Sequence, residues 1–348
     1  MAHLSRRALA GSALTFAALL AGCSVEDSST PDGGTAGDAA DGAGEGTVSL
    51  DHAFGRTEIP ASVEVVTTVA WANHEVPLAL GVVPAGMAAA NFGDDDGNGM
   101  LPWVEAALDE LGATAPVLFD ESDGIDIEGV ADTAPDVILA AYSGLTQEDY
   151  DTLTEIAPTI PFPDVAWGTA WRDMITANAA GMGMAEQGEA LIAELEEQIE
   201  EAVAQHPSLA GRSVMFLTHV DTTDLSTVNF YTAHDTRTMF FEDLGMKIAQ
   251  SVQDASAETD AFSSSVSAEQ ADVFDDVEII VTYGDAELVA ALEGDPLLSQ
   301  MPAVKNGAVV HLPGDSPLGT AANPTPLAIP YILEEYLAEL DRAANASA

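Results

Sequence analysis

Ala185 to His206 reads AEQGEALIAELEEQIEEAVAQH. Apolar side chains recur at Ile192, Leu195, Ile199 and Val203, spaced three, four and four, which predicts one long amphipathic helix. Its outer face carries seven glutamates and no lysine. The like-charged pairs Glu196/Glu200 and Glu197/Glu201 each cost roughly a few tenths of a kcal/mol in dilute solution. The stretch lies near mid-chain. On both sides of it, short β-branched runs (Val63–Val69, Val137–Ala141, Val214–Thr218, Ile279–Tyr283, Val309–Leu312) alternate with helical patterns such as Leu101–Leu111 and Glu269–Phe274. Such alternation predicts parallel sheets covered by helices on both faces. A long helix between two α/β halves predicts two lobes with a cleft between them. A last helix, about Leu327 to Leu340 with the stripe Ile329, Leu333, Tyr336 and Leu340, is expected to pack back on the body.

The chain has 348 residues, with 58 Asp plus Glu against 9 Lys plus Arg and a formal charge of -49. Apolar residues at 47% and a mean hydropathy of +0.14 exclude a wholly disordered acidic protein. The charge argues against a nucleic-acid partner, because phosphate binding needs Lys and Arg to release counterions. One cysteine excludes an intrachain disulfide and a Cys-based zinc cluster.

Met1 to Gly22 places Arg6 and Arg7 before an uncharged apolar stretch, Ala8–Leu20, too short to span a bilayer. This layout predicts an export signal over residues 1–22. Leu20-Ala21-Gly22-Cys23 resembles a bacterial lipobox, which implies cleavage before Cys23 and lipid attachment at its sulfur. The twin arginine leaves the general and twin-arginine export routes both open. Residues 23–54 form an expected acidic leash: Ser24 to Thr47 holds six acids and no base, too little apolar surface to offset chain entropy. No other segment has about 18 consecutive apolar residues, so the expected location is the outer face of the cytoplasmic membrane, tethered without spanning it. With the signal removed, 58 acids stand against seven bases, a balance that points to a saline habitat in which repulsion is screened.

From Gly55 to Leu340 the sequence resembles the lipid-anchored solute-binding proteins of ABC importers for ferric siderophores, the helix-spine type related to the vitamin B12 binder. The resemblance is carried by the order and spacing of several stretches. They are Gly55–Pro60, Leu78–Val82, Ile127–Val130, Ala134–Leu139, Ala141–Thr146, Ile156–Thr159, Trp171, Phe241–Gly245 and Met301–Lys305. It implies two Rossmann-like lobes: 55–166, a helical spine over 167–206, and 207–348 with the terminal helix. It implies capture and delivery of a ferric siderophore to a permease, with no chemistry on the ligand, no cofactor and a monomeric chain. It also implies that Glu128 and Glu269, one on each lobe, dock the permease; read by residue type alone, they are two of many solvated acids.

A bulky chelate needs aromatic walls and a few fixed polar groups, and these are expected beyond the carboxyl ends of strands. Trp71, Tyr142 and Tyr283 follow predicted strands, and Trp103, Trp167 and Tyr231 lie in or beside loops. Each of these is also a common kind of packing residue. Trp171 is assigned to spine packing. Among the few bases, Arg237 is the candidate for contacting hydroxamate or carboxylate oxygens, against a salt bridge to a neighbouring acid. The lack of a basic cluster favours a neutral or cationic ferric trihydroxamate over an anionic catecholate.

Asp94 to Glu105 fits a twelve-residue calcium-loop spacing at Asp94, Asp96, Asn98 and Glu105, but Pro102 interrupts it and a solvated turn capping the next helix is the competing reading. The seven histidines are scattered; His219/Asp221 and His234/Asp235 are pairs that a zinc or manganese binder could use, but short His/Asp spacings arise readily in so acidic a chain. No Gly-x-Ser-x-Gly elbow and no phosphate-cradling loop with Lys is present, so no enzyme is expected. Haem or cobalamin binding, or a structural or adhesive envelope role, are the alternatives.

Overall fold

The structure is a computed structural model that describes residues 48–347. The export signal, Cys23 and most of the leash lie outside the described residues.

The described residues open with an antiparallel hairpin, β1 (Val48–His52) and β2 (Gly55–Ile59), in register from Val48 opposite Ile59 to His52 opposite Gly55. Strand β1 therefore stands inside the stretch expected to be a leash. Phe54 at the hairpin turn explains it: its ring stacks on Tyr150 at 5.0 Å and meets Phe162 edge-on at 5.2 Å. Aromatic burial of this kind offsets the ordering of the preceding strand.

The first half then alternates strand and helix: β3 (Val66–Thr68), α1 (Glu75–Ala79), β4 (Gly86–Ala88), α2 (Pro102–Leu111), β5 (Val117–Phe119), α3 (Ile127–Asp132), β6 (Val137–Ala140), α4 (Gln147–Thr154) and β7 (Thr159–Pro161). Its five strands make one parallel sheet in the order β5-β4-β3-β6-β7. Strand β6 is fully buried along its length, which is why it reads as an unbroken apolar run.

Two helices follow, α5 (Trp171–Gly181) and α6 (Ala185–Val203). The spine region expected over 167–206 is thus a helical hairpin whose second arm is the long helix leading to the second sheet. Gly183, at φ +72, makes the turn between the arms. Arg172 near the start of α5 pairs with Glu196 in α6 at 2.7 Å, so the two run antiparallel. Leu195 and Ile199 of the predicted stripe are buried. The helix stops at Val203, short of His206, because Pro207 disfavours helical backbone just before it.

The second half contains β8 (Ser213–Phe216), β9 (Thr227–Tyr231), α7 (Thr236–Asp243), β10 (Lys247–Ile248), α8 (Gln250–Ser256), β11 (Ser263–Ser267) and a 3-10 segment over Ala268–Phe274. It ends with β12 (Ile279–Tyr283), α9 (Ala286–Gly294), α10 (Pro302–Lys305), β13 (Val309–Leu312), α11 (Pro317–Ala321) and α12 (Ala328–Ala346). A parallel sheet runs β10-β8-β12-β13, and β9 pairs with β11 as a separate antiparallel ribbon. Helix α12 buries Ile329, Leu333, Tyr336 and Leu340, the predicted stripe. No helix among the described residues is long and apolar enough to cross a membrane.

Candidate functional site

In an open parallel sheet, chain connections leave in opposite directions at one point, and the diverging loops open a crevice there. In the first sheet this point lies between β3 and β6, and in the second between β8 and β12. A cavity of about 310 Å³ lies where the two points face each other. Trp71 beyond β3, Phe92 beyond β4, Tyr142 beyond β6 and Trp167 beyond β7 line it from the first half. His219 beyond β8, Arg237 at the start of α7, Tyr283 at the end of β12 and Asn323 beyond α11 line it from the second. A neighbouring cavity of about 370 Å³ shares Trp71, Asn91 and Trp167 as walls and adds Glu121 and Asp149.

The first-half wall is held by strained backbone. Ala70, Ala72 and Trp167 have φ of 59°, 61° and 59°, a region that residues with a Cβ seldom adopt. Asn73, fully buried, fixes the first two. Its amide nitrogen donates to the carbonyls of Val69 (2.9 Å) and Tyr142 (2.8 Å), and its oxygen accepts the Tyr142 amide at 3.0 Å. The Ala70 amide donates to Glu121 Oε2 at 2.9 Å. Burial pushes the Glu121 carboxyl up to about 7, against that hydrogen bond. The Trp167 amide donates to the Ser143 carbonyl at 2.9 Å, and its indole meets the Tyr142 ring edge-on at 5.4 Å. Tyr142 in turn accepts a hydrogen bond from Asn323 at 3.2 Å, across the cleft.

The second-half wall is centred on Arg237. Its guanidinium donates to Asp235 through Nε (2.8 Å) and Nη2 (2.6 Å) and reaches Tyr283 Oη at 3.4 Å. Its central carbon stands 3.7 Å over the Tyr231 ring. Burial works against the Arg237 charge, but Asp235 outweighs it and holds the group well above its ordinary value. His219 stacks on Tyr283 at 4.7 Å, and Phe92 meets it edge-on at 5.8 Å from the other half. Burial and the nearby Arg237 charge depress the His219 imidazole, which leaves it neutral near pH 7.

Of the sequence candidates, Trp71, Tyr142, Trp167, Arg237 and Tyr283 come together around one cavity. Tyr231 stands behind Arg237 as its stacking platform and is not a lining residue. Trp103 lies apart, because it faces inward from the first turn of α2. Its indole donates to the buried Glu75 at 2.7 Å, and its ring packs on Tyr331. Trp171 is buried and bonds Asp243 at 2.8 Å, as a spine residue should. Glu128 and Glu269 are exposed, in the first turns of α3 and of the 3-10 segment. Phe92 and Asn323 carry no signal in the sequence, and His219 stands there only as half of a possible metal pair and not as a cleft ring; all three sit in loops with no local pattern.

The Asp94 loop is closed by its own hydrogen bonds. Asp94 accepts the amides of Asp96, Gly97 and Gly99, and the Asn98 amide nitrogen donates to Asp96 and Glu105. His234 bonds the Ser256 carbonyl and Asp235 bonds Arg237, so the histidine–aspartate pairs do not converge. Among the described residues no group of three or more His, Cys, Asp or Glu is placed to hold a metal ion.

Two α/β lobes joined by a long helix, with an aromatic cleft at facing strand ends, define a solute-binding protein of the two-lobe type. Residues 66–316 match the periplasmic binding protein family, and the chain belongs to that family. A solved structure of PiaA from Streptococcus pneumoniae TIGR4, in complex with ferrichrome, is 42% identical. It matches with a TM-score of 0.82 over 86% of this chain and 99% of that one. In Bacillus subtilis, the probable siderophore-binding lipoprotein YfiY is 28% identical over 157 residues, 44% of this chain and 44% of that protein. This chain therefore spans less than half the length of YfiY. YhfQ of the same organism, named as an ABC transporter substrate-binding lipoprotein, is 25% identical over 77% of this chain and 81% of its own length.

Proposed function

We propose that this protein captures a ferric siderophore, of the neutral hydroxamate kind, and delivers it to an ABC permease for iron uptake. The observation that carries the reading is the cleft: seven aromatic or imidazole rings, Phe262 among them, around one charge-compensated guanidinium, at the switch points of two facing sheets. An iron already wrapped in its chelator needs no metal ligands from the protein. It needs flat apolar surface and a few fixed donors for the outward-facing hydroxamate oxygens. The ferrichrome seen in the pneumococcal PiaA complex is a ligand of this chemistry.

Trp71, Trp167, Tyr142 and Tyr283 form the walls that grip the complex, and Arg237 donates to its oxygens. Tyr231 supports Arg237 from behind, while Trp103 packs away from the ligand against Glu75 and Tyr331. Cys23 carries the lipid, and the acidic stretch after it lets a single chain work just off the membrane. Glu128 and Glu269 dock the two lobes on the permease. The protein transports without catalysing a reaction, and the iron complex is cargo.

Quenching of tryptophan fluorescence by a ferric trihydroxamate tests this. Saturable quenching is expected, with Trp71→Ala and Tyr142→Ala each weakening it by about 2 kcal/mol, on the order of thirtyfold in Kd. Native affinity in both variants would remove those rings from the site.

A further inference from the structure

Asp235 is fully buried, does not line the cavity and spends both carboxylate oxygens on the Arg237 guanidinium. Its oxygen also accepts the Arg237 amide at 2.9 Å, as the N-cap of α7. Asparagine caps a helix as well as aspartate does, so capping alone leaves the negative charge without a purpose. Burying that charge is costly, and it is retained opposite the one cationic side chain among the residues lining the two cavities. The other arginines of the described chain are paired away from the cleft, Arg56 with Asp51, Arg172 with Glu196 and Asp243, Arg212 with Glu278, and Arg342 with Glu339. Seen from the cavity, Arg237 therefore offers directed N–H donors with its charge cancelled from behind. Glu121 and Asp149 next door add no positive charge.

We infer that Asp235 is a specificity-determining residue: it makes the cleft a charge filter that admits ferric complexes of zero or positive net charge and turns away anionic ones. This rests on the siderophore reading above. An arginine without its buried partner would attract a multiply anionic ferric tricatecholate through a low-dielectric wall, where a unit charge has a large effect.

The test compares two probes, a neutral ferric trihydroxamate and a trianionic ferric tricatecholate, by fluorescence titration of the native chain, Asp235→Asn and Asp235→Glu. The native chain should favour the neutral complex. Asp235→Asn, which keeps the cap and the acceptor for Arg237 Nε but loses the charge and the acceptor for Nη2, should lower that preference about tenfold or more, while Asp235→Glu should retain most of it. A folded Asp235→Asn protein with the native preference, or equal shifts in both variants, overturns the inference. A second measurement needs no variant: ferric trihydroxamates of one scaffold bearing a pendant ammonium, amide or carboxylate are titrated into the native chain. Weaker binding of the carboxylate form is expected, and equal or tighter binding overturns the filter. Binding of the neutral probe with no charge discrimination refutes the filter alone, whereas binding of no ferric complex refutes the siderophore reading and the filter with it.

Discussion

Replacing Gly144 by alanine adds one methyl group beside the Trp167 indole in the cleft wall. A Cβ at Gly144 would lie 2.2 Å from Trp167 Nε1 and 2.7 Å from Cε2, so the indole must move by more than 1 Å to reach ordinary contact. The Gly144 backbone is outside the left-handed region, and the methyl adds no backbone strain of its own. Trp167 has little freedom to yield, because its amide is bonded to the Ser143 carbonyl and its φ of 59° is fixed by the same loop. Displacing the ring breaks its edge-on contact with Tyr142, worth about 0.5–1.5 kcal/mol. Overpacking adds about 1–3 kcal/mol. Part of this strain appears as lost stability and part as lost ligand contact, so affinity for a ferric trihydroxamate should fall at least about tenfold. Fluorescence titration paired with a thermal melt reads both. A Gly144→Ala protein with native affinity and native emission would refute the placement of Trp167 against the ligand.

Two further outcomes follow from named residues. Glu75 is buried and bonded to Trp103, Thr325 and the Leu327 amide, and burial raises its carboxyl from 4.5 to about 7. A raised acid favours the protonated form in the folded chain, so its contribution is full below about pH 4.5 and is lost as pH rises towards 7. The shift corresponds to about 3 kcal/mol. Denaturant melts from pH 4.5 to 8 should show Glu75→Gln with a flatter pH dependence than the native chain, and parallel curves would contradict this. Charge reversal at Glu128 and Glu269 together should abolish iron uptake in cells while the ligand titration in solution is unaltered. Undiminished uptake would remove these residues from permease docking.

The elements that sequence patterns expose best are those whose burial is uniform. Ile279–Tyr283 and Val309–Leu312 appear as strands at their expected bounds, because β12 is covered on both faces and β13 is buried except at His311. Trp71, Tyr142 and Tyr283 were legible as cleft residues because a residue just past a parallel strand is delivered to the sheet's carboxyl edge. Trp103 misled because it stands one position inside α2, where helix geometry turns it to the core beside Val104 and Leu108. The same inward periodicity was present in the sequence as an apolar stripe. Tyr231 ends a strand of the ribbon rather than of the main sheet, which puts it beneath Arg237 instead of before the ligand. Phe92, His219 and Asn323 reach the cleft only through the tertiary approach of the two halves, as in the contacts of Phe92 with His219 and of Asn323 with Tyr142. No local spacing encodes such approach. Hairpin strand β1 was hidden for a related reason, since its order depends on Phe54 finding Tyr150 and Phe162 far along the chain.

Calorimetric titration of the native chain with a ferric trihydroxamate, beside its iron-free form and ferric catecholate, haem and cobalamin, tests the central claim most directly. The account predicts one ferric trihydroxamate bound per chain, more tightly than any other member of the series. Absence of binding by every ferric complex, or tighter binding of haem or cobalamin, would contradict it.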